Sequence, residues 1–189
     1  MTDESDLIVR AQHGEIPAYE SLVRTYEQIA FRVAYLITHD EHEAADAAQE
    51  AFVRAFRSLA SFNPNLPFRP WLLRIVTNLA LNRIKLAQRR EAMTKRYARH
   101  VMMNEQNPSP EQTVIERMQN QRIVQAVRQM SPEDQTLISL RYFLELPEAE
   151  VAQAMSIPLG TVKSRLYRTL ARLREIIVRD FPDLQSVVR

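Results

Sequence analysis

The sequence predicts an all-α protein: two small helical domains joined by a flexible linker, the C-terminal one a helix-turn-helix. Three observations carry that expectation. Apolar residues recur at helical spacing through most of the 189 residues, and no segment alternates as a strand. Clusters of proline and asparagine interrupt the periodicity and set element ends. Over residues 91–110 the periodicity lapses and the stretch ends in Asn-Pro-Ser-Pro, a linker composition. The domains expected are 1–90 and 111–180, with 91–110 between them.

The elements follow in order. A first helix runs from about Asp3 to His13 and stops at Gly14, a residue suited to the position after a helix end. A second starts at Pro17, allowed in a first turn, and carries Tyr19, Leu22, Val23, Tyr26, Ile29, Ala30, Val33 and Ile37 at helical spacing. A third is capped by Asp40 and runs to about Leu59, with Ala48, Phe52, Ala55, Phe56 and Leu59 as its buried stripe. Phe62-Asn-Pro-Asn-Leu-Pro-Phe68 is a loop. A fourth helix runs from Pro70 to about Arg90, with Leu72, Ile75, Val76, Leu79 and Leu86 inward. In the second block a helix spans about 110–130, and Ser131-Pro-Glu-Asp opens another that ends near Phe143. Short helices follow at 147–155 and 159–178.

Composition excludes several classes of function. With no cysteine there is no disulfide, zinc-thiolate site or cysteine nucleophile, and a reducing, cytoplasmic compartment is expected. No apolar run reaches the ~18 residues of a membrane span, and the acidic start is no signal peptide. The two glycines form no phosphate-binding loop. His39-Asp-Glu-His42 is the one local group resembling metal ligands, but it lacks paired Glu-x-x-His spacing, and both histidines are read as solvated. No serine sits in a GxSxG elbow. No catalytic constellation, metal or cofactor is expected, and the chain is not read as an enzyme.

Charge is more informative. The net +2 resolves into −8 over residues 1–50, +10 over 51–100, −4 over 101–150 and +4 over 151–189. Separate acidic and basic surfaces follow, the basic ones suited to phosphate. Residues 147–176 read as two helices joined by a turn at Ser156-Ile-Pro158, the spacing of a DNA-binding helix-turn-helix. On the second helix Leu159, Val162, Leu166, Leu170, Leu173 and Ile177 share an apolar face. Thr161, Ser164, Arg165, Arg168 and Arg172 lie opposite, flanked by Lys163 and Tyr167. Such a helix docks by its stripe and offers short polar and guanidinium groups to base edges. On the third helix Asp46, Gln49, Glu50, Val53, Arg54 and Arg57 face outward, with Val53 apolar in a charged setting. On the fourth, Trp71, Arg74, Asn78, Asn82, Lys85 and Arg89 form a face of cations, amides and an aromatic suited to a separated DNA strand. Trp71 can equally be a core residue closing the helix start.

Several of these segments resemble a known family. PLGTVKSRLYRTLARLRE at 158–175 and LRYFLEL at 140–146 look like the promoter-reading C-terminal domain of bacterial sigma factors, in the extracytoplasmic-function (ECF) group of the sigma-70 family. DAAQEAFVRAFRSLASF at 46–62 and FRPWLLRIVTNLALNRIK at 68–85 resemble that family's core-binding and promoter-melting helices. The resemblance implies an alternative sigma factor that binds core RNA polymerase and directs promoter recognition, melting and transcription initiation. It places Asp46, Gln49, Glu50, Val53 and Arg54 on the clamp helices of the polymerase beta-prime subunit, with the beta subunit as a further partner. It assigns the minus-ten element to Ser61, Phe62, Asn63, Trp71, Arg74, Asn78, Asn82 and Lys85, Phe62 walling a pocket for a flipped base. It assigns minus-35 backbone contacts to Arg141, Pro158, Gly160 and Thr161, and bases or nearby phosphates to Lys163, Ser164, Arg165, Tyr167 and Arg168. Promoter DNA and an inhibitory anti-sigma factor are the other implied partners. The tether and the alternating charge further predict that the free chain populates closed forms. A free-standing helix-turn-helix regulator or a helical adaptor are the rival readings; neither needs the 46–57 face and the two basic faces together.

Overall fold

A computed structural model describes residues 4–94 and 122–184. Most of the expected linker, and the start of the helix expected at 110–130, lie outside the described residues. Among the described residues every regular element is helical: α1 (Glu4–Gln12), α2 (Ile16–Thr38), α3 (Glu41–Ser58), α4 (Phe68–Thr94), α5 (122–128), α6 (Pro132–Ile138), α7 (Glu148–Met155) and α8 (Leu159–Asp180). Short 3-10 turns at Leu59–Ser61 and Pro182–Leu184 and one π turn at Ser139–Phe143 complete the list.

The element ends have local causes. Gly14 sits at φ 90°, a left-handed conformation that costs glycine little, and α1 stops there. Asp40 caps α3 by accepting from the Glu43 N–H (2.9 Å), a cap worth about 1 kcal/mol. Ser131 caps α6 through the Asp134 N–H, and Pro132 fills the first turn as expected. α4 begins at Phe68, two residues before the expected Pro70, because the Glu4 carboxylate accepts from the Phe68 N–H (2.9 Å). It also runs to Thr94, four residues past the expected end.

α2, α3 and α4 pack on one another and α1 lies across α2, burying Leu22, Val33, Ile37, Phe52, Leu59, Leu72, Leu73 and Val76. The C-terminal helices do not stand apart from this bundle. α7 packs against α4, and Leu137, Leu140, Leu146, Val151, Val162 and Leu166 join the same continuous core. Polar contacts accompany that packing. Lys85 pairs with Glu133 (3.0 Å) and Arg69 with Glu150 (3.1 Å), while His39 Nε2 donates to Gln135 Oε1 (3.0 Å). The direction of the last bond follows from Gln135, whose amide nitrogen already donates to the Arg128 and Met130 carbonyls. Smaller clusters around Ala126, Ile177, Phe181 and Leu184, and around Val127, Met130 and Ile138, seat α5 against the end of α8.

Expectations about the burial of five residues are corrected. Phe56 is 42% exposed, because it lies over Tyr19 (centroids 4.8 Å) at the bundle edge rather than under it. Leu86 is exposed along with every residue from Lys85 to Arg90, where α4 projects past its neighbours. Leu159 and Leu170 are exposed, and Thr169 takes the central buried place on α8. His39, read as solvated, is half-buried against the C-terminal helices; His42 is exposed as expected.

Candidate nucleic-acid and protein interfaces

On α3 the outward face is built as the wheel predicts. Ala44, Ala47, Ala48, Ala51, Phe52 and Ala55 are buried, so Asp46, Gln49, Val53 and Arg54 point to solvent, with Glu50 half-buried. The alanines let α2 and α4 approach closely. Two further features were not anticipated. Arg83 of α4 reaches across to Glu43 (2.7 Å), Asp46 (3.4 Å) and Glu50 (3.4 Å), so the acidic part of this face is tied to α4. The Glu50 carboxyl is held below the usual range, first by its hydrogen bond to Arg54 and further by Arg83, against an opposing effect of burial. Reversing Asp46 and Glu50 to lysine would therefore set two ammonium groups beside Arg83, and is not neutral to the fold. Beside this face lies an apolar groove of about 790 Å³, lined by Ile16, Tyr19, Val23, Phe31, Val53 and Phe56 among others. Val53, Ile16 and Phe56 are each more than 40% exposed, so apolar surface adjoins the charged face. The lone Val53 was its only signal in sequence.

The loop after α3 is held at both ends by α1. Gln12 Nε2 donates to the Leu59 carbonyl (2.9 Å) and the Phe62 carbonyl (2.7 Å), and Glu4 caps α4 while accepting from Tyr26 Oη. Inside this clamp Phe62, Phe68 and Trp71 form an aromatic cluster, with Phe62 and Trp71 centroids 4.5 Å apart. Each such pair adds about 0.5–1.5 kcal/mol beyond its buried area. Phe62 is 8% exposed and so forms part of the cluster floor rather than an open ring. Trp71 is half-buried, which meets both of its readings. Ser61, Asn63 and Arg74 are exposed around it, and Asn78, Asn82 and Lys85 continue the exposed line along α4.

The loop does not face open solvent alone. Ser61, Phe62, Asn63, Leu66, Trp71 and Arg74 line one side of a cleft of about 870 Å³, and Gln153, Ser156, Ile157, Pro158 and Leu159 line the other. The structure thus brings the minus-ten candidates opposite the helix-turn-helix turn. It keeps Lys163, Ser164, Tyr167 and Arg168 outside that cleft.

In the helix-turn-helix, α7 ends at Ser156 (φ 56°), whose N–H closes onto α7 carbonyls, and Pro158 precedes α8. Val162 and Leu166 dock α8; Lys163, Ser164, Tyr167 and Arg168 are exposed, Tyr167 at 79%. Thr161 and Arg165 are half-buried, Pro158 and Gly160 exposed. A Cβ on Gly160 would meet nothing within 4 Å, so the missing side chain serves no internal packing. Arg141 is half-buried in the π turn, its guanidinium 5.8 Å from the Tyr142 ring centroid. Arg172, placed on the outward face by the wheel, is tied inward: its Nη1 donates to Asp134 Oδ2 (2.7 Å), while Thr169 Oγ1 donates to Oδ1 (3.0 Å). Burial alone would raise the Asp134 pKa, but the hydrogen bonds from Arg172, Thr169 and Ser131 outweigh it and keep the group ionised.

Comparison with known proteins decides what these faces belong to. Residues 22–90 match Sigma-70 region 2, and residues 120–173 match Sigma-70 region 4. The ECF RNA polymerase sigma factor SigW of Bacillus subtilis is 31% identical over 174 residues, covering 89% of this chain and 93% of that protein. This chain belongs to the sigma-70 family, in its ECF group. The RNA polymerase sigma-H factor of Pseudomonas aeruginosa agrees, at 32% identity over 89% of this chain and 91% of its own. The fold matches too. The sigma factor RpoE, solved with the anti-sigma factor NepR from Bartonella quintana, superposes with a TM-score of 0.67 at 18% identity, over 86% of this chain and 98% of that one. CnrH, solved with the cytosolic domain of CnrY, gives 0.64 at 21% identity, over 94% and 98%. The protein is therefore an alternative sigma factor that directs transcription initiation. No helix among the described residues is long and apolar enough to cross a membrane.

Proposed function

We propose that this cytoplasmic sigma factor divides its work among three faces. The α3 surface with its adjoining groove docks the polymerase clamp helices through Val53, Gln49 and Arg54, with Asp46 and Glu50 presented by Arg83. The clamped loop at 59–68 and the exposed line Trp71, Arg74, Asn78, Asn82 and Lys85 open and hold the minus-ten strand. The first half of α8 reads the minus-35 element in the major groove, with Arg141, Pro158, Gly160 and Thr161 on its backbone. It makes and breaks no bond itself.

The observation that carries this reading is α8. Its inner face is fixed by Val162 and Leu166, while Lys163, Ser164, Tyr167 and Arg168 stand exposed on the first turns, where a recognition helix meets base edges. Gly160, open on its outer side, lets a phosphate backbone approach. Arg168→Ala in the polymerase complex tests it. Binding to the cognate minus-35 duplex is expected to weaken by about 1–3 kcal/mol relative to random DNA, the loss of one bidentate base contact. Equal loss on both duplexes would refute base reading by α8.

By their names the minus-ten and minus-35 elements lie about 25 base pairs apart, on the order of 85 Å along B-DNA at ~3.4 Å per base pair. A chain whose α4 packs on α7 cannot reach both, so engaging a promoter separates the two halves. An anti-sigma factor, such as the one solved with the Bartonella quintana RpoE, is the partner we propose to hold them closed.

A further inference from the structure

Asp134 is 4% exposed, and Thr169, whose hydroxyl it accepts from, is 1% exposed. Both oxygens of Asp134 are used, one by Thr169 and one by Arg172, and its own N–H is held by Ser131. The group thus joins the start of α6 to the middle of the recognition helix. Along α8 the inward positions are Val162, Leu166, Thr169, Leu173 and Ile177, so one hydroxyl interrupts an otherwise apolar stripe. Its neighbour Leu170 is 39% exposed and Leu159 53%.

The same helix therefore carries a second, fully apolar stripe through Leu159, Leu166, Leu170 and Leu173. Positions 169 and 170 stand about 100° apart around the axis. Apolar burial is non-directional and would favour turning Leu170 inward in place of a threonine. A buried carboxylate with a hydroxyl and a guanidinium in place is directional, and leaving it unpaired costs more than one exposed leucine. A turn of only ~20° moves a side-chain tip ~5 Å from the axis by ~2 Å, enough to break a bidentate contact.

We infer that Asp134 is a positioning residue for promoter discrimination: through Thr169 and Arg172 it sets the rotation of α8, and so which side chains meet the bases. This rests on the reading that α8 carries the minus-35 readout. Arg172 then acts through Asp134 and not on a phosphate.

The test uses the full chain assembled with core polymerase, titrated with a cognate and a random minus-35 duplex over a range of salt. Asp134→Ala is expected to lower the cognate-to-random affinity ratio about tenfold, within the range of one bidentate base contact. Asp134→Asn retains an acceptor for Thr169 and is expected to keep most of the ratio. Adding Leu170→Gln to Asp134→Ala removes the competing stripe and is expected to restore discrimination, which a general loss of stability would not allow. Arg172→Ala, whose side chain is 62% exposed, carries the test if Asp134→Ala does not fold. It is expected to lower the ratio with the salt slope unchanged. A uniform loss for Arg172→Ala on both duplexes, with the slope reduced by about 1, would mark a phosphate contact and overturn the inference. An unchanged ratio for Asp134→Ala, or no recovery with Leu170→Gln, also overturns it. If Arg168→Ala leaves the ratio intact, the reading of α8 fails instead.

Discussion

α4 and α8 both carry the residues proposed to face DNA, yet the molecule treats them differently. α8 is seated on one side only, and the first half of its outer face is open. α4 is seated in the N-terminal bundle on one side and meets α7 on the other, with Arg69 and Lys85 paired to acids of the C-terminal half. Of the two proposed reading surfaces, one is presented in the free chain while the other is partly covered. On that proposal, a helix can carry every residue its task needs and still be withheld by where it packs.

Three changes in the covering test that contrast, and a fourth tests the loop. The largest effect is expected in the shared core. Leu72→Ala, at a fully buried position on α4, is expected to cost about 2–5 kcal/mol in denaturant unfolding, more than Leu166→Ala on the half-seated α8. Because both lie in one continuous core, a probe in either half should follow the same transition. Separate transitions would break the comparison.

Next is the covering itself. Glu133→Lys with Glu150→Lys repels Lys85 and Arg69, and is expected to raise the radius of gyration toward that of two separated halves. The Arg69 and Glu150 atoms that pair are buried, yet neither makes a hydrogen bond of good geometry. A buried pair of that kind adds little to stability but is costly to break from one side. Scattering that stays compact in the double variant would show that the apolar contact of α4 with α7 suffices without the ion pairs.

Gln12→Ala frees the Leu59 and Phe62 carbonyls and is expected to cost about 1–2 kcal/mol, appearing as weaker minus-ten melting with unchanged minus-35 binding. Equal loss at both elements would remove α1 from its role as a clamp on the loop.

The smallest effect is one of pH. Burial, with a further push from Arg128, lowers the His39 pKa below 6.5, against the pull of Gln135. The closed form thus holds neutral His39 and binds fewer protons than the open one. Its stability from this group is present above about pH 6.5 and is lost as the pH falls below it, by less than about 1.4 kcal/mol per pH unit. Scattering at neutral and mildly acidic pH is expected to show slight opening in the wild type and none in His39→Gln.

Periodicity and capping made the fold readable in the chain, because Gly14, Asp40, Ser131 and Pro158 act locally. The outward faces of α3 and α8 were readable for the same reason. What stayed hidden depends on distant partners. A wheel ranks Leu170 above Thr169 for burial, and only Asp134, 35 residues away, reverses the order. Nothing near Arg83 announces that it will span to α3, and nothing near residues 59–68 shows that Gln12 and Glu4 hold the loop. Phe56 and Leu86 were misplaced because amphipathic pattern gives the face of a helix but not where its neighbours end.

The packing of α4 on α7 also bears on dosage. A chain that must open before use binds its target with an apparent affinity reduced by the fraction open, so a form that is about 1% open needs about a hundredfold more protein for the same occupancy. Small amounts of this sigma factor would then leave its promoters silent, and each weakening of the α4–α7 contact would lower the expression level at which they fire.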